Sequence, residues 1–280
     1  MKLSAWVSSS DLLGRKASGF GEFIFSKFIK QDVFSENDPK EALKTLKNSG
    51  VNGVELLVSS GTKNDDIQKI KKILKEVDLK IFSVHQSISK LFNISIEEVE
   101  ELFGIAKDLS AGVVVLHINV IGDKIFDKDY VKSLKDLQNR YGIKIGIENS
   151  PITPLTLFKT YTWKEDKFCS VVDKAGFNIT FDTTHLAQTG KDIINFYKKN
   201  KKRIVNIHLS DYKKNFLNTH FLLTYDTHLP LAAGTSPVKQ FVKTLKKNRY
   251  DGIITMEING NLSQLCKSAK LIKSIYDDRA

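Results

Sequence analysis

The chain has 280 residues, of which 41% are hydrophobic, and a formal net charge of +11. This length can bury one large core or two smaller ones, and two cysteines without a CxxC spacing argue against a disulfide framework or a cysteine zinc site. No stretch reaches the roughly 18 apolar residues of a membrane span, and no apolar signal segment opens the chain, so we expect a soluble, cytoplasmic protein without a membrane partner.

The positive charge comes almost entirely from lysine, since only five arginines occur. The lysines are spread along the predicted helices, whereas arginine is the residue that most often recognises bases and phosphates. We therefore expect a solvated, lysine-rich surface and not a dedicated nucleic-acid face. Its diffuse positive field would still steer an anionic substrate.

Apolar runs of strand length alternate with segments of helical periodicity along the chain, as in parallel strands covered on both faces. In chain order the prediction is strand Lys2–Val7, helix Pro39–Ser49, strand Gly53–Val58, helix Asp65–Glu76, strand Lys80–Val84, helix Ile96–Leu109, strand Val113–His117, helix Lys128–Tyr141, strand Ile143–Glu148, helix Lys164–Ala175, strand Asn178–Asp182, helix Ile193–Lys199, strand Ile204–Leu209, helix Pro237–Lys247, strand Ile253–Ile258 and helix Leu262–Tyr276.

Eight strand–helix units without a break in composition predict a single (β/α)₈ barrel that forms one domain over residues 1–280. A doubly wound open sheet is the alternative, and it fits less well because no GxGxxG or phosphate-binding loop follows any strand. The long segment Ser8–Phe34, which follows the first strand, is expected to cover part of the barrel mouth.

Six successive apolar runs end in a histidine or an acid. They are KIFSVH (His85), VVVLH (His117), KIGIE (Glu148), NITFD (Asp182), IVNIH (His208) and IITME (Glu257). One such residue alone is more often a packed or ion-paired side chain than a ligand. Six together are hard to explain by packing, because burying unpaired acids is costly. In a barrel these strand ends converge, which predicts a site for Zn²⁺, Mn²⁺ or a similar ion.

Further polar residues lie close to these ends. His185 follows Asp182 by three residues, and a turn would point both into the mouth; the alternative is a helix N-cap at Thr183 or Thr184 with a surface histidine. The sequence Asp226-Thr227-His228 puts its acid and its histidine on one face if it is extended.

Four further polar residues are not predicted to be ligands themselves. Asn149 and Asp211 are expected to fix the orientation of the neighbouring ligands. Glu55 lies inside its strand, where it either orients a ligand or makes an internal hydrogen bond. His220 matches no strand end and is expected at the surface.

The order His, His, Glu, Asp-x-x-His, His-x-x-Asp, Asp-x-His, Glu resembles the xylose isomerase-like TIM barrel superfamily. That group contains sugar and sugar-phosphate isomerases and epimerases, and also endonuclease IV, which cleaves DNA at abasic sites. The resemblance runs from about Lys40 to Ile258, through the segments GVNGVEL, VVVLH, GIENS, FDTTH, IHLSD and DTHLPLAAGT.

The two branches imply different sites. The isomerases and epimerases imply one divalent ion, proton exchange with the sugar carbons by Glu148 and Glu257, and contact of His185 with substrate oxygens; the ion's ligands would be Glu148, Asp182, His208 and Glu257. Endonuclease IV implies three zinc ions. These would be held by His85, His117 and Glu148, by the same four residues, and by His185, Asp226 and His228.

Departures from endonuclease IV favour the first branch. Trp6 stands where that enzyme usually has a histidine, and Ser210 stands where it usually has asparagine. Its glycine-glutamate-glycine after the Asp-x-His motif is replaced by Ala232-Ala233-Gly234-Thr235, which also weakens the match to isomerases. The preferred hypothesis is a metal-dependent isomerase or epimerase of a sugar or sugar phosphate; the alternative is a zinc phosphodiesterase with DNA as partner. A non-catalytic binding barrel is disfavoured, because both glutamates are present.

Overall fold

Parallel strands close into a barrel in the computed structural model, which describes residues 1–15, 34, 38–91, 93–153, 156–213 and 227–278. Within these residues eight strands follow one another in chain order around the barrel, and β1 pairs with both β2 and β8. The strands are β1 (Lys2–Ser8), β2 (Gly53–Leu57), β3 (Lys80–His85), β4 (Val113–His117), β5 (Lys144–Glu148), β6 (Asn178–Asp182), β7 (Ile204–Leu209) and β8 (Ile253–Met256).

Helices connect the strands on the outside of the barrel. They are α1 (Ser9–Leu12), α2 (Pro39–Asn48), α3 (Asn64–Glu76), α4 (Ile96–Asp108), α5 (Lys128–Tyr141), α6 (Glu165–Ala175), α7 (Thr183–Gln188), α8 (Ile193–Asn200), α9 (Val238–Lys247) and α10 (Leu262–Asp277). The predicted (β/α)₈ barrel is confirmed, and the open sheet is wrong. That residues 1–280 form one domain stays a prediction.

Local signals in the sequence account for several helix ends. Ser95 and Glu98 form a capping box at the start of α4, in which each side chain accepts a backbone N–H of the other residue. Asp38 accepts the N–H groups of Lys40 and Glu41 at the start of α2. At the other end of α5, Gly142 has a φ of 67°, a left-handed conformation that glycine adopts without strain.

The main hydrophobic core lies between the barrel and its helices. Alternate residues of each strand point outward into it, and Phe181 of β6 is an example: its ring lies 4.5 Å from that of Phe196 in α8 and 6.0 Å from that of Phe241 in α9. Burial of one such aromatic side chain contributes about 1.5–3 kcal/mol. The core therefore holds the helices against the strands and fixes where the strand ends lie.

Inside the barrel the side chains are apolar near the N-terminal ends of the strands and polar toward their C-terminal ends. Near the strand starts, Val113, Val115 and Ile253 form a small apolar cluster with Phe82 and Val205. A polar layer follows, in which Glu55, Ser83, Asn206 and Thr255 are hydrogen-bonded to one another and buried. At the top, the register places His117 opposite Glu148 and Asp182 opposite His208. The functional residues therefore lie at one height, at the C-terminal ends of the strands.

Three expectations concern segments that are described only in part or not at all. Most of Ser8–Phe34, including any cover it gives to the mouth, lies outside the described residues, as do His220 and Asp226.

In the part of the chain that is described, none of the helices combines the length and the apolar character that crossing a bilayer requires.

Candidate metal centre

The ends of the strands gather the expected ligand residues into three overlapping groups. In each group, one donor atom of every member lies within 4.8 Å of a donor atom of the others. Glu148 belongs to two of the groups, and so does Asp182. The groups are His85, His117 and Glu148; Glu148, Asp182, His208 and Glu257; and Asp182, His185 and His228.

Glu148 lies at the centre of these groups and faces four imidazoles. Its Oε2 is 3.2 Å from Nε2 of both His85 and His117, and its Oε1 is 3.3 Å from Nδ1 of His208 and 3.5 Å from Nδ1 of His185. Burial raises the pKa of Glu148, but the attraction of His208 and His117 outweighs burial and holds that pKa well below its usual value. Glu148 is therefore an anion at neutral pH.

His208 lies between three glutamates. Its Nδ1 is 2.7 Å from Oε2 of Glu257, and its Nε2 is 2.8 Å from Oε1 of Glu55. Burial lowers the pKa of His208, yet Glu55, Glu148 and Glu257 together raise it well above the usual value. Burial also raises the pKa of Glu257, but His208 and His228 lower that pKa to about 2.

Asp182 lies close to the carboxylates of Glu148 and Glu257, which makes its own ionisation less favourable. Burial, with the nearby charges of Glu257 and Glu148, raises the pKa of Asp182 to about 7, although His228 acts in the opposite direction. Three carboxylates this close resist being ionised together. A bound cation would remove that conflict, because its charge favours the ionised form of each acid.

Hydrogen bonds fix which nitrogen each histidine offers. Nδ1 of His85 lies 2.6 Å from the carbonyl oxygen of Gln86, and Nδ1 of His185 lies 2.7 Å from that of Asn149. Since a carbonyl only accepts, both Nδ1 atoms carry a proton. In His185 this leaves Nε2 as an acceptor, whereas Nε2 of His85 lies 3.2 Å from Oε2 of Glu148, to which it donates when the ring is protonated. In His208, Nε2 lies 2.8 Å from Oε1 of Glu55 and Nδ1 faces Glu148 and Glu257, and neither nitrogen makes a well-aligned hydrogen bond to a described residue. An ion bound at Nδ1 would leave the proton on Nε2, facing Glu55. Such partners are typical of histidines that bind metal ions.

Glu55 both faces a ligand residue and makes internal hydrogen bonds, which are the two roles considered for it from the sequence. Its Oε1 faces His208, while its Oε2 accepts from Oγ of Ser83 at 2.5 Å and from Nδ2 of Asn206 at 2.7 Å. Ser83 and Asn206 were not among the residues predicted from the sequence. A signal was present nonetheless: each is a polar residue in an apolar strand, two positions before the ligand residue of the same strand.

The turn after β6 orders two ligands at once. Oδ1 of Asp182 accepts the backbone N–H of His185 at 2.6 Å, so Asp182 itself caps α7. A cap at Thr183 or Thr184 with a surface histidine is therefore wrong, and His185 is only 7% exposed. The side chain of Asn149 accepts from the N–H of Asp182 at 2.8 Å and donates to its carbonyl at 3.0 Å.

His228 lies on a segment that is fastened to the end of β8. The N–H of Asn259 donates to the carbonyl of His228 at 2.6 Å, and the φ of His228 is +51°. Its Nδ1 is 3.3 Å from Oγ of Ser210 and 3.9 Å from Oδ2 of Asp182. In the described part of the chain Asp211 makes no hydrogen bond to His208; its carboxylate accepts the backbone N–H groups of Tyr212, Gly234 and Ser236 and so shapes the loop.

The donor atoms of one group fit a divalent cation best. Oδ2 of Asp182, Nδ1 of His208 and Oε2 of Glu257 are buried and make no well-aligned hydrogen bond to a described residue, although the last two atoms lie only 2.7 Å apart. Leaving such atoms without a partner costs free energy. Carboxylate and imidazole donors suit Zn²⁺ and Mn²⁺, and an ion bound by them would satisfy all three atoms at once.

Comparison with known proteins gives relatives of several activities. An uncharacterised protein of Methanocaldococcus jannaschii is 31% identical over 181 residues, which are 61% of this chain and 63% of that protein. The chain thus spans less than two thirds of that relative. An inosose dehydratase of Clostridium botulinum is 26% identical over 258 residues, or 81% of this chain and 84% of the enzyme.

Solved structures share the fold at lower identity. A D-tagatose 3-epimerase-like protein has a TM-score of 0.65 and 20% identity, with 98% of this chain and 97% of that one covered. Endonuclease IV from Thermus thermophilus has a TM-score of 0.62 and 11% identity, with full coverage of both chains (100% and 100%). A xylose isomerase-like protein of Mycobacterium smegmatis in complex with magnesium has a TM-score of 0.62 and 13% identity, covering 85% and 88%.

The model of one protein family, described as the xylose isomerase-like TIM barrel, matches residues 43–275. This match covers most of the chain and includes all the ligand residues of the three groups. The chain therefore belongs to the xylose isomerase-like TIM barrel family.

Proposed function

We propose that this protein is a divalent-metal-dependent isomerase or epimerase of a sugar or sugar phosphate. The observation that carries the proposal is the pair Glu148 and Glu257, whose carboxylates approach the same nitrogen, Nδ1 of His208, at 3.3 Å and 2.7 Å. Their group contains the buried atoms without a well-aligned partner. Two carboxylates beside one ion can serve as the base and the acid of proton transfer at a sugar carbon.

In this proposal each residue has one task. Glu148, Asp182, His208 and Glu257 hold the ion, which supplies a Lewis acid that polarises the substrate carbonyl and makes the neighbouring C–H more acidic. One glutamate removes the proton from that carbon, and the other returns it to complete the isomerisation or epimerisation. His185, whose Nδ1 donates to the carbonyl of Asn149 and whose Nε2 remains as an acceptor, accepts hydrogen bonds from substrate hydroxyls.

The relatives support the substrate class. The dehydratase is named for inosose and the epimerase-like protein for D-tagatose, so both names point to polyhydroxylated small molecules. Removal of a proton next to a carbonyl is a first step that epimerisation and a dehydration beside a ketone have in common. An assay that detects this step therefore does not depend on the product.

The second candidate is a zinc phosphodiesterase that cleaves DNA at abasic sites. The three overlapping ligand groups favour it, because the resemblance to endonuclease IV implies three zinc ions. Two observations favour one ion instead. The unpartnered atoms of the ligand residues belong to the four-residue group, and His85 and His117 already have a compensating carboxylate oxygen, Oε2 of Glu148.

The experiment is hydrogen–deuterium exchange at carbon. The protein is freed of metal with a chelator, reloaded with Mn²⁺, Co²⁺, Mg²⁺ or Zn²⁺, and incubated in D₂O with a panel of ketoses, aldoses and their phosphates. We expect exchange at the carbon next to the carbonyl of at least one substrate, and only in reloaded samples. Absence of exchange on every substrate, together with cleavage of an abasic duplex by the zinc-loaded protein, would replace this proposal by the nuclease.

A further inference from the structure

The N-terminal mouth of the barrel, at the end opposite the metal centre, opens into a cavity of about 980 Å³. Seven lysines line this cavity. Lys2, Lys80 and Lys144 are the first residues of β1, β3 and β5. The other four come from the end of α3 and from the turn after α8. The lysines that the sequence distributes along the chain are thus brought together at one end of the barrel.

The charge of this cavity is not compensated from within. Seven lysines stand against two acids, Asp78 and Asp251, which leaves a formal charge of +5. The carboxylate of Asp78 is moreover bound by Lys47, 2.7 Å away and outside the lining. Among the described residues, no carboxylate forms an ion pair with any of the seven lysines. Like charges gathered around a concave surface attract and concentrate anions.

The floor of the cavity is apolar and contains one aromatic ring. Phe82, Val113, Val205 and Ile253 form it. Gly53 allows the ring to lie there, because a Cβ at that position would come within 2.3 Å of a ring carbon of Phe82. Phe82 is only half-buried, so one part of its ring is open to the cavity.

The cavity is separate from the metal centre. Above its floor lies the buried layer of Glu55, Ser83, Asn206 and Thr255, and only above that layer do Glu148 and the other ligands follow. A molecule in the N-terminal mouth therefore does not contact the ion or its substrate. Any ligand of this mouth is bound at a second site.

We propose that the N-terminal mouth binds a compact anion that carries several phosphate groups, either free or attached to a nucleoside. A chain of phosphates places several negative charges within the reach of lysines on different sides of the cavity. The lysines give charge-assisted hydrogen bonds to phosphate oxygens. The exposed part of the Phe82 ring offers a stacking surface to a base, which distinguishes a nucleotide from a free polyphosphate.

The test is the binding of tripolyphosphate by calorimetry in about 150 mM salt, where weak surface attraction is screened. The first variant is Lys80→Gln/Lys144→Gln. Its matched control is Lys267→Gln/Lys270→Gln, which removes the same charge from the exposed face of α10. We expect the native chain and the control to bind alike and the cavity variant to bind at least about tenfold more weakly, since each lost charged hydrogen bond is worth a factor of this order.

Two further arms identify the source of the phosphates. If ATP binds more tightly than tripolyphosphate, and Phe82→Leu removes that advantage, the ligand is a nucleotide; equal binding that Phe82→Leu does not affect identifies a free polyphosphate. The proposal is overturned if neither compound binds, or if the cavity variant binds as well as the native chain. The latter result would place the anion elsewhere, for example at the metal centre.

Discussion

Replacing Glu148 or Glu257 by glutamine is expected to lower the rate of carbon–hydrogen exchange by about a hundredfold to ten-thousandfold. Glutamine keeps the size of the side chain and removes its charge, so the change removes a proton acceptor and a negatively charged ligand together. The effect on metal affinity should be greater for Glu148→Gln, because Glu148 lies within 3.5 Å of nitrogen atoms of four histidines, whereas Glu257 approaches His208.

The control for these variants is Glu100→Gln. Glu100 is on α4, does not belong to any of the ligand groups, and pairs with Arg140 through a side chain that is 47% exposed. Exchange is measured at saturating metal, with bound metal determined in the same samples, which separates loss of the ion from loss of the proton acceptor. Exchange at the native rate in Glu148→Gln or Glu257→Gln would contradict the assigned roles.

The variant Glu55→Gln is expected to weaken metal binding by about tenfold to a hundredfold, although Glu55 does not face the ion. In the native chain Oε1 of Glu55 lies 2.8 Å from Nε2 of His208, so its negative charge favours a proton on Nε2 and leaves Nδ1 as the ligand atom. An amide nitrogen in place of Oε1 would donate toward Nε2 and favour the opposite tautomer, with a proton on Nδ1 pointing at Glu148 and Glu257. Glu55 is therefore a positioning residue that acts through His208.

Stability should fall in the same variant. Removing one partner of a buried ion pair costs about 3–5 kcal/mol, and Glu55 and His208 are both fully buried. The matched control is Ser4→Ala, which changes a buried polar side chain whose hydroxyl has no hydrogen-bond partner among the described residues. Metal affinity by competition with a chelating dye and unfolding by urea are the two measurements. Native metal affinity in Glu55→Gln would exclude the positioning role.

The sequence predicts the barrel well because two simple physical patterns mark it. Strands buried on both faces read as apolar runs, and helix starts carry capping residues such as Ser95 with Glu98. Boundaries differ by one or two residues, as at β8, which ends at Met256 and not at Ile258. The terminal residues of an element are set by caps and by tertiary contacts that the pattern does not contain.

The residues of the candidate site can be predicted from the sequence, but the contacts between them cannot. Residues that end parallel strands must meet at one end of a barrel, so the convergence of His85, Glu148 and His208 follows from the fold alone. Which nitrogen of His208 faces the acids depends on Glu55, which lies in β2, far away in the chain. That Asp182 joins His185 and His228 depends on the turn that Asp182 caps.

The cavity at the N-terminal mouth of the barrel could not be predicted from the sequence either. Lys2, Lys80 and Lys144 read as ordinary charged residues before apolar runs, and their number alone suggests a solvated surface. Only closure of the barrel brings the starts of β1, β3 and β5 around one cavity. Charge patterning along a chain therefore does not reveal a site that is made by strand starts.

The central claim is that Glu148, Asp182, His208 and Glu257 hold a divalent ion together, and metal analysis of the purified chain tests it most directly. The chain is prepared without chelator, incubated with excess Zn²⁺ or Mn²⁺, desalted and analysed for metal by mass spectrometry. We predict at least one ion per native chain and a loss of one ion per chain in Asp182→Asn. A native chain that retains no divalent metal after this treatment would contradict the claim.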